Sequence, residues 1–177
     1  METFQTDTRN QINIAILGAV SAGKSSLINT IFAETYSQCK IKRTTMVPQV
    51  YYEYDKKRCK ELIDDIKDKN KIINDELLEL TKAGSVITSE HIKEVNYVVP
   101  KVCGFTELVN KVFLGIYDIP GLNDGHGTKK LYYDYVDANF YKFDIIIFVV
   151  DINSALNTVD EVDILEKIIE NCRKNYN

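Results

Sequence analysis

The chain has 177 residues, 45% of them apolar and 27% charged, with a net charge of −4. That is enough for one domain with a real core, and the acidic balance, with positive runs interleaved among acids, argues against a dedicated nucleic-acid binder. Four cysteines without C-x-x-C spacing and two histidines give no readable zinc site and suit free thiols in a reducing compartment. Met1 to Asn10 is polar, and the longest apolar run, Ile145 to Val150, is far too short to span a bilayer. A cytoplasmic chain, at most peripheral at a membrane surface, is expected.

Ile12 to Leu17 reads as a buried parallel strand that ends in a glycine turn. Gly18-Ala-Val-Ser-Ala-Gly-Lys24-Ser25-Ser26 follows at once and fits G-x-x-x-x-G-K-[ST], with a strand before it and a helical run after it. Gly18 and Gly23 let the backbone bend where a Cβ would clash. The bend turns the amides of the loop, Ser21, Ala22 and Ser26 among them, toward one point at a helix N-terminus, where a polyphosphate belongs. Lys24 would reach its β/γ oxygens, and the Ser25 hydroxyl would ligate Mg²⁺. The helix runs from Lys24 to about Thr35.

Ser37 to Val47 is a polar loop that holds Thr44-Thr45, and a threonine hydroxyl there can ligate Mg²⁺. Thr45 is favoured over Thr44. Pro48 to Tyr54 reads as a strand. Asp55 to Lys82 carries Cys59, Leu62, Ile63, Ile66, Ile73, Leu77 and Leu80 at helical spacing among dense charge. It predicts one long amphipathic helix, or two broken near Asn70, lying on the surface. Ser89 to Ile92 opens or lies in a short helix. Tyr97 to Val102 and Lys111 to Tyr117 are strands that could pair as a hairpin.

Asp118-Ile-Pro-Gly121 closes the second of these strands with the form D-x-x-G. Such an aspartate beside a phosphate loop holds Mg²⁺ through water, and the Gly121 N–H can bond a γ-phosphate. His126, in the loop that follows, is read as solvated, with a general-base role as the alternative. Lys129 to Tyr141 is a short helix, and Asp144 to Val150 a second fully buried strand. Thr158-x-x-Glu161 is a capping box. It opens a helix with Val162, Leu165, Ile168, Ile169 and Cys172 on one face. Strands alternating with helices predict an α/β layered domain with a mostly parallel sheet over 1–177, with a helical insertion at 55–95.

Ser21-Ala-Gly-Lys-Ser-Ser26 with Leu27-Ile28-Asn29, Arg43-Thr44-Thr45-Met-Val-Pro48 and Asp118-Ile-Pro-Gly-Leu-Asn-Asp124 together resemble the dynamin-related large GTPases, from about Ile12 to Asn177. The resemblance implies a P-loop NTPase three-layer fold and GTP binding with slow or assembly-stimulated hydrolysis, in membrane remodelling. It implies GTP or GDP and Mg²⁺ as cofactors, with Ser25, Thr45 and Asp118 on the metal. Ser21, Lys24 and Thr45 take catalytic roles, Ser21 by helping to hold a monovalent cation near the β-phosphate. Implied partners are a guanine nucleotide, a second copy through the nucleotide face, and a membrane through regions outside this stretch.

Two departures from the family pattern stand out. Val20 replaces a polar residue, commonly glutamine, that helps position the attacking water, and valine cannot hydrogen-bond water. The guanine-reading N/T-K-x-D motif is absent, because the chain is expected to end before the last strands of that fold. Two other readings follow: a nucleotide-binding or interaction module that does not turn over, and an ATP-using P-loop protein.

Overall fold

Two-residue alternation along the first strand, β1 (Asn10–Gly18), sorts the molecule into layers. Ala15 and Leu17 join one buried cluster, Ile14 and Ile16 the other, as a pleated strand requires. A computed structural model describes residues 10–37, 45–54, 59–101, 112–123, 127–153 and 156–176. The Ile16 face is covered by α1 (Lys24–Phe32) and α2 (Lys60–Lys82). The Leu17 face is covered by α3 (Lys129–Asn139), a short 3-10 turn at Phe140–Lys142, and α4 (Val159–Tyr176).

The other strands are β2 (Gln49–Tyr54), β3 (Val95–Pro100), β4 (Val112–Asp118) and β5 (Ile145–Val149). They form a five-stranded sheet in the order β3-β2-β4-β1-β5. β1 runs parallel to both β4 and β5, and β2 runs parallel to β3 but antiparallel to β4. Among the described residues this is an α/β fold with a mixed sheet.

Several expectations need correction. β3 and β4 do not form a hairpin, since β2 lies between them. β4 buries Phe113 and Tyr117 as well as Ile116 and so suits an interior strand. β3 ends on Pro100, which lacks an N–H and is tolerated at a sheet edge. The charged segment is a single helix, the first of the two forms expected, unbroken at Asn70 and docked on the sheet by its apolar stripe. Asn70 is fully buried, and its side-chain amide bonds the Tyr36 carbonyl and the Tyr51 and Tyr97 hydroxyls. Asn70 therefore takes a core position in the stripe of Ile63, Ile66 and Leu77.

Ser89 to Ile92 is a turn, not a helix, closed by the His91 N–H to the Thr88 carbonyl at 3.0 Å. β5 is the outermost strand and only half-buried, with Ile145 exposed. α1 stops at Phe32 because Ala33 turns left-handed (φ 49°) and the Glu34 N–H returns to the Asn29 carbonyl at 3.1 Å. The predicted face of α4 is displaced in part: Ile168 is buried and Cys172 packs on the same cluster as expected, but Ile164 takes a core position while Val162 and Ile169 are exposed. The capping residues meet: the Glu161 N–H donates to Thr158 Oγ1 at 3.3 Å, one bond of a capping box, and the Thr158 hydroxyl donates to Glu161 Oε2 at 2.8 Å.

Candidate functional site

The loop between β1 and α1 has the backbone that its glycines allow. Gly23 has φ 99°, a left-handed conformation that side chains resist. At Gly18 a Cβ would lie 2.3 Å from the Val149 carbonyl oxygen of β5, so only glycine fits. Ser21 is also left-handed (φ 64°) and its side chain is exposed. The Leu27 N–H bonds the Gly23 carbonyl at 2.9 Å as the first turn of α1.

Lys24 lies in the first turn of α1 but is buried, and its ammonium group donates to the carbonyls of Gly18 (3.2 Å) and Ala19 (2.6 Å). Burial lowers its pKa to about 8, and the charge of Asp118 partly offsets that fall. A cation held in a low-dielectric pocket by carbonyls alone is ready for an anion.

Asp118, at the end of β4, is the hub of the site. Its Oδ2 accepts from Ser25 Oγ (3.3 Å), Ser37 Oγ (3.3 Å) and Thr45 Oγ1 (3.4 Å), while the Ser25 and Thr45 hydroxyls lie 3.2 Å apart. The carboxyl is fully buried and its Oδ1 has no hydrogen-bond partner. Burial pushes its pKa up to about 6, against the Lys24 charge and the three hydroxyls, which favour the ionised form. Three residues predicted from separate stretches, Ser25, Thr45 and Asp118, thus meet at one point. The oxygen-only donor set suits a hard cation such as Mg²⁺ and not zinc. The orphaned Oδ1 is the atom such a cation, or its water, would satisfy.

The turn after Asp118 packs directly on the phosphate-type loop. A Cβ on Gly121 would come within 2.6 Å of the Val20 backbone. The Leu122 N–H reaches the Gly18 carbonyl at 3.3 Å, and the Val20 N–H donates to Asn123 Oδ1 at 2.6 Å. Gly121→Ala is expected to destabilise the fold by about 1–3 kcal/mol through this overpacking. Thermal unfolding reads it, and an unchanged Tm would mean that the turn gives way freely.

Sequence reading missed the supporting residues. Asn29 of α1 accepts from the Tyr36 and Ser37 N–H groups (both 3.0 Å) and donates to the Ser37 carbonyl (2.8 Å), which sets Ser37 against Asp118. Gln49 is paired with Asp118 in the β2–β4 register, and its buried Nε2 also lacks a partner. Asn70 and Asn74, one turn apart on the apolar stripe of α2, were the readable signal: polar residues at core positions. Gly18, Ala22, Gly23, Lys24 and Gly121 line the loop and its covering turn, and Ser26 is exposed at the start of α1. Arg43, Thr44 and His126 lie outside the described residues.

The chain matches the dynamin family across residues 14–175. A protein of Acanthamoeba polyphaga mimivirus, titled uncharacterized protein R618, is 31% identical over 150 residues, covering 80% of this chain and 24% of the viral protein. The chain spans about a quarter of the length of that relative. A phosphate-type loop, a hydroxyl and carboxylate hub beside it, and a family match over nearly the whole stretch agree: the chain belongs to the dynamin family, whose fold is that of the P-loop GTPases.

Proposed function

We propose that this domain binds GTP with Mg²⁺ and hydrolyses it slowly. The observation that supports this best is the convergence of Ser25, Thr45 and Ser37 on the Asp118 carboxylate, beside a buried Lys24. Lys24 would give up its two carbonyl partners for β/γ-phosphate oxygens, and the loop amides would add their dipoles. Ser25 and Thr45 would hold the metal directly, with Asp118 behind them. A bound Mg²⁺ supplies charge neutralisation to the departing diphosphate. Ser21, exposed on the loop, would lie near the β-phosphate and help to hold a monovalent cation there.

Val20 favours a second reading, a binder that does not turn over. Its aliphatic side chain lies against Gly121 and has no polar atom to offer a water, and its N–H is taken by Asn123. Membrane remodelling, self-association through the nucleotide face and a cytoplasmic location belong to the proposal at family level; among the described residues no helix is long and apolar enough to cross a membrane.

A thermal-shift comparison of GTP, GDP and ATP with Mg²⁺ tests the reading. A ligand at about 100 times its Kd adds roughly 2.7 kcal/mol to stability. Shifts with guanine nucleotides alone support it. A shift with ATP alone, or none with any nucleotide, overturns it.

A further inference from the structure

The Thr45 hydroxyl reaches the metal-type hub only if the backbone around it is fixed, and the next residue is where it is gripped. The Met46 N–H donates to Asn74 Oδ1 of α2 at 2.8 Å, and the Met46 carbonyl accepts from the Tyr132 hydroxyl of α3 at 2.8 Å. Each peptide group is planar. Asn74 therefore fixes the plane that joins Thr45 to Met46, and Tyr132 fixes the plane after it. The two helices belong to opposite faces of the sheet, so the segment is held from both layers.

Both arms of this grip are themselves anchored. One turn before Asn74, Asn70 ties α2 to Tyr36, Tyr51 and Tyr97. Met46 and Val47 are buried against Leu77, one turn beyond. Tyr132 is fully buried, and its N–H bonds the Thr128 carbonyl at 3.1 Å.

We propose that Asn74 and Tyr132 are positioning residues that hold Thr45 in register with Ser25 and Asp118. The charged α2 helix is then part of the site's framework. This rests on the reading of Thr45 as a ligand of the metal–triphosphate complex. Loss of either grip selectively weakens the triphosphate state, because loops of this kind are ordered by γ-phosphate–Mg²⁺ contacts that a diphosphate lacks.

The test has two arms, on the same chain. Amide hydrogen exchange without nucleotide compares wild type with Asn74→Leu, Asn74→Asp and Tyr132→Phe. The leucine and phenylalanine variants are expected to speed exchange at Met46 and Val47 while β1 and β4 stay protected, and aspartate, which keeps the acceptor, restores protection. In the second arm, Mg²⁺-dependent binding of GTPγS and of GDP is measured. Asn74→Leu is expected to lower the GTPγS affinity about tenfold more than the GDP affinity, with Tyr132→Phe a smaller change in the same direction and Asn74→Asp recovering most of it. Unchanged exchange overturns the grip. Faster exchange with equal losses for both nucleotides overturns the positioning role. If the wild type binds neither nucleotide, the nucleotide reading and the positioning role both fail, and the exchange arm still decides whether the grip exists.

Discussion

Replacement of Lys24 with alanine is expected to lower affinity for GTP at least about a hundredfold, with the fold retained. A buried ammonium makes charge-assisted hydrogen bonds worth about 1.5–3 kcal/mol each, and losing two of them gives that factor. The fold is expected to survive because the two effects on it oppose each other. Removing a buried charge relieves desolvation, which already holds the Lys24 pKa near 8. Against that, the Gly18 and Ala19 carbonyls lose their partner. Fluorescent-nucleotide titration beside circular dichroism reads both. A mutant that is folded and still binds GTP within threefold of wild type, about 0.7 kcal/mol, would refute the role of Lys24.

Asp118→Asn is expected to stabilise the nucleotide-free domain by about 1–2 kcal/mol at pH 7 while abolishing Mg²⁺-dependent GTP binding. The carboxyl titrates near pH 4 when unfolded and about 6 when folded. Between those values the folded chain keeps a proton that the unfolded chain has released. Stability therefore falls as pH rises through that window, and above about 6 the full penalty of a buried carboxylate applies. Asparagine carries no such penalty, although it forgoes attraction to Lys24. The gain should shrink toward zero below about pH 4, where both forms are neutral. Urea unfolding at pH 4 and pH 7 without Mg²⁺ measures this. A mutant less stable than wild type at pH 7 would mean that the carboxylate is a structural asset and not a strained group awaiting a cation.

The parts of the site with strict local grammar were legible. Gly18 to Ser26 announces its loop, because glycine positions and a following helix leave one solution. Asp118 is announced by its place after an apolar strand. Thr45 is a separate choice, over Thr44 in the same polar loop, and its meeting with Ser25 and Asp118 is seen only in the fold. What the sequence hid was tertiary. Asparagine has weak helix propensity, which leaves a break near Asn70 open as the alternative to one helix, yet the Asn70 amide is satisfied by two tyrosine hydroxyls and a carbonyl that come from other elements. Ser37 sits in a polar loop with no spacing to mark it. It reaches Asp118 only because Asn29 folds the chain back on α1. The insertion of β2 between β3 and β4 was also beyond reach, since local alternation states which residues face the core but not which strand lies next. The displaced face of α4 has the same origin, because its stripe of apolar residues is wide enough to admit two orientations.

The chain contains no tryptophan, and this gives the tyrosine pile beside the hub a second use. Tyr36 and Tyr97 each stack with Tyr51, at ring-centroid distances of 5.9 and 5.4 Å, and Ser37, next to Tyr36, touches the carboxylate. Rings held this closely in a chiral setting dominate near-ultraviolet dichroism. Occupation of Asp118 is therefore expected to change the near-ultraviolet dichroism of these rings, a signal that needs no label.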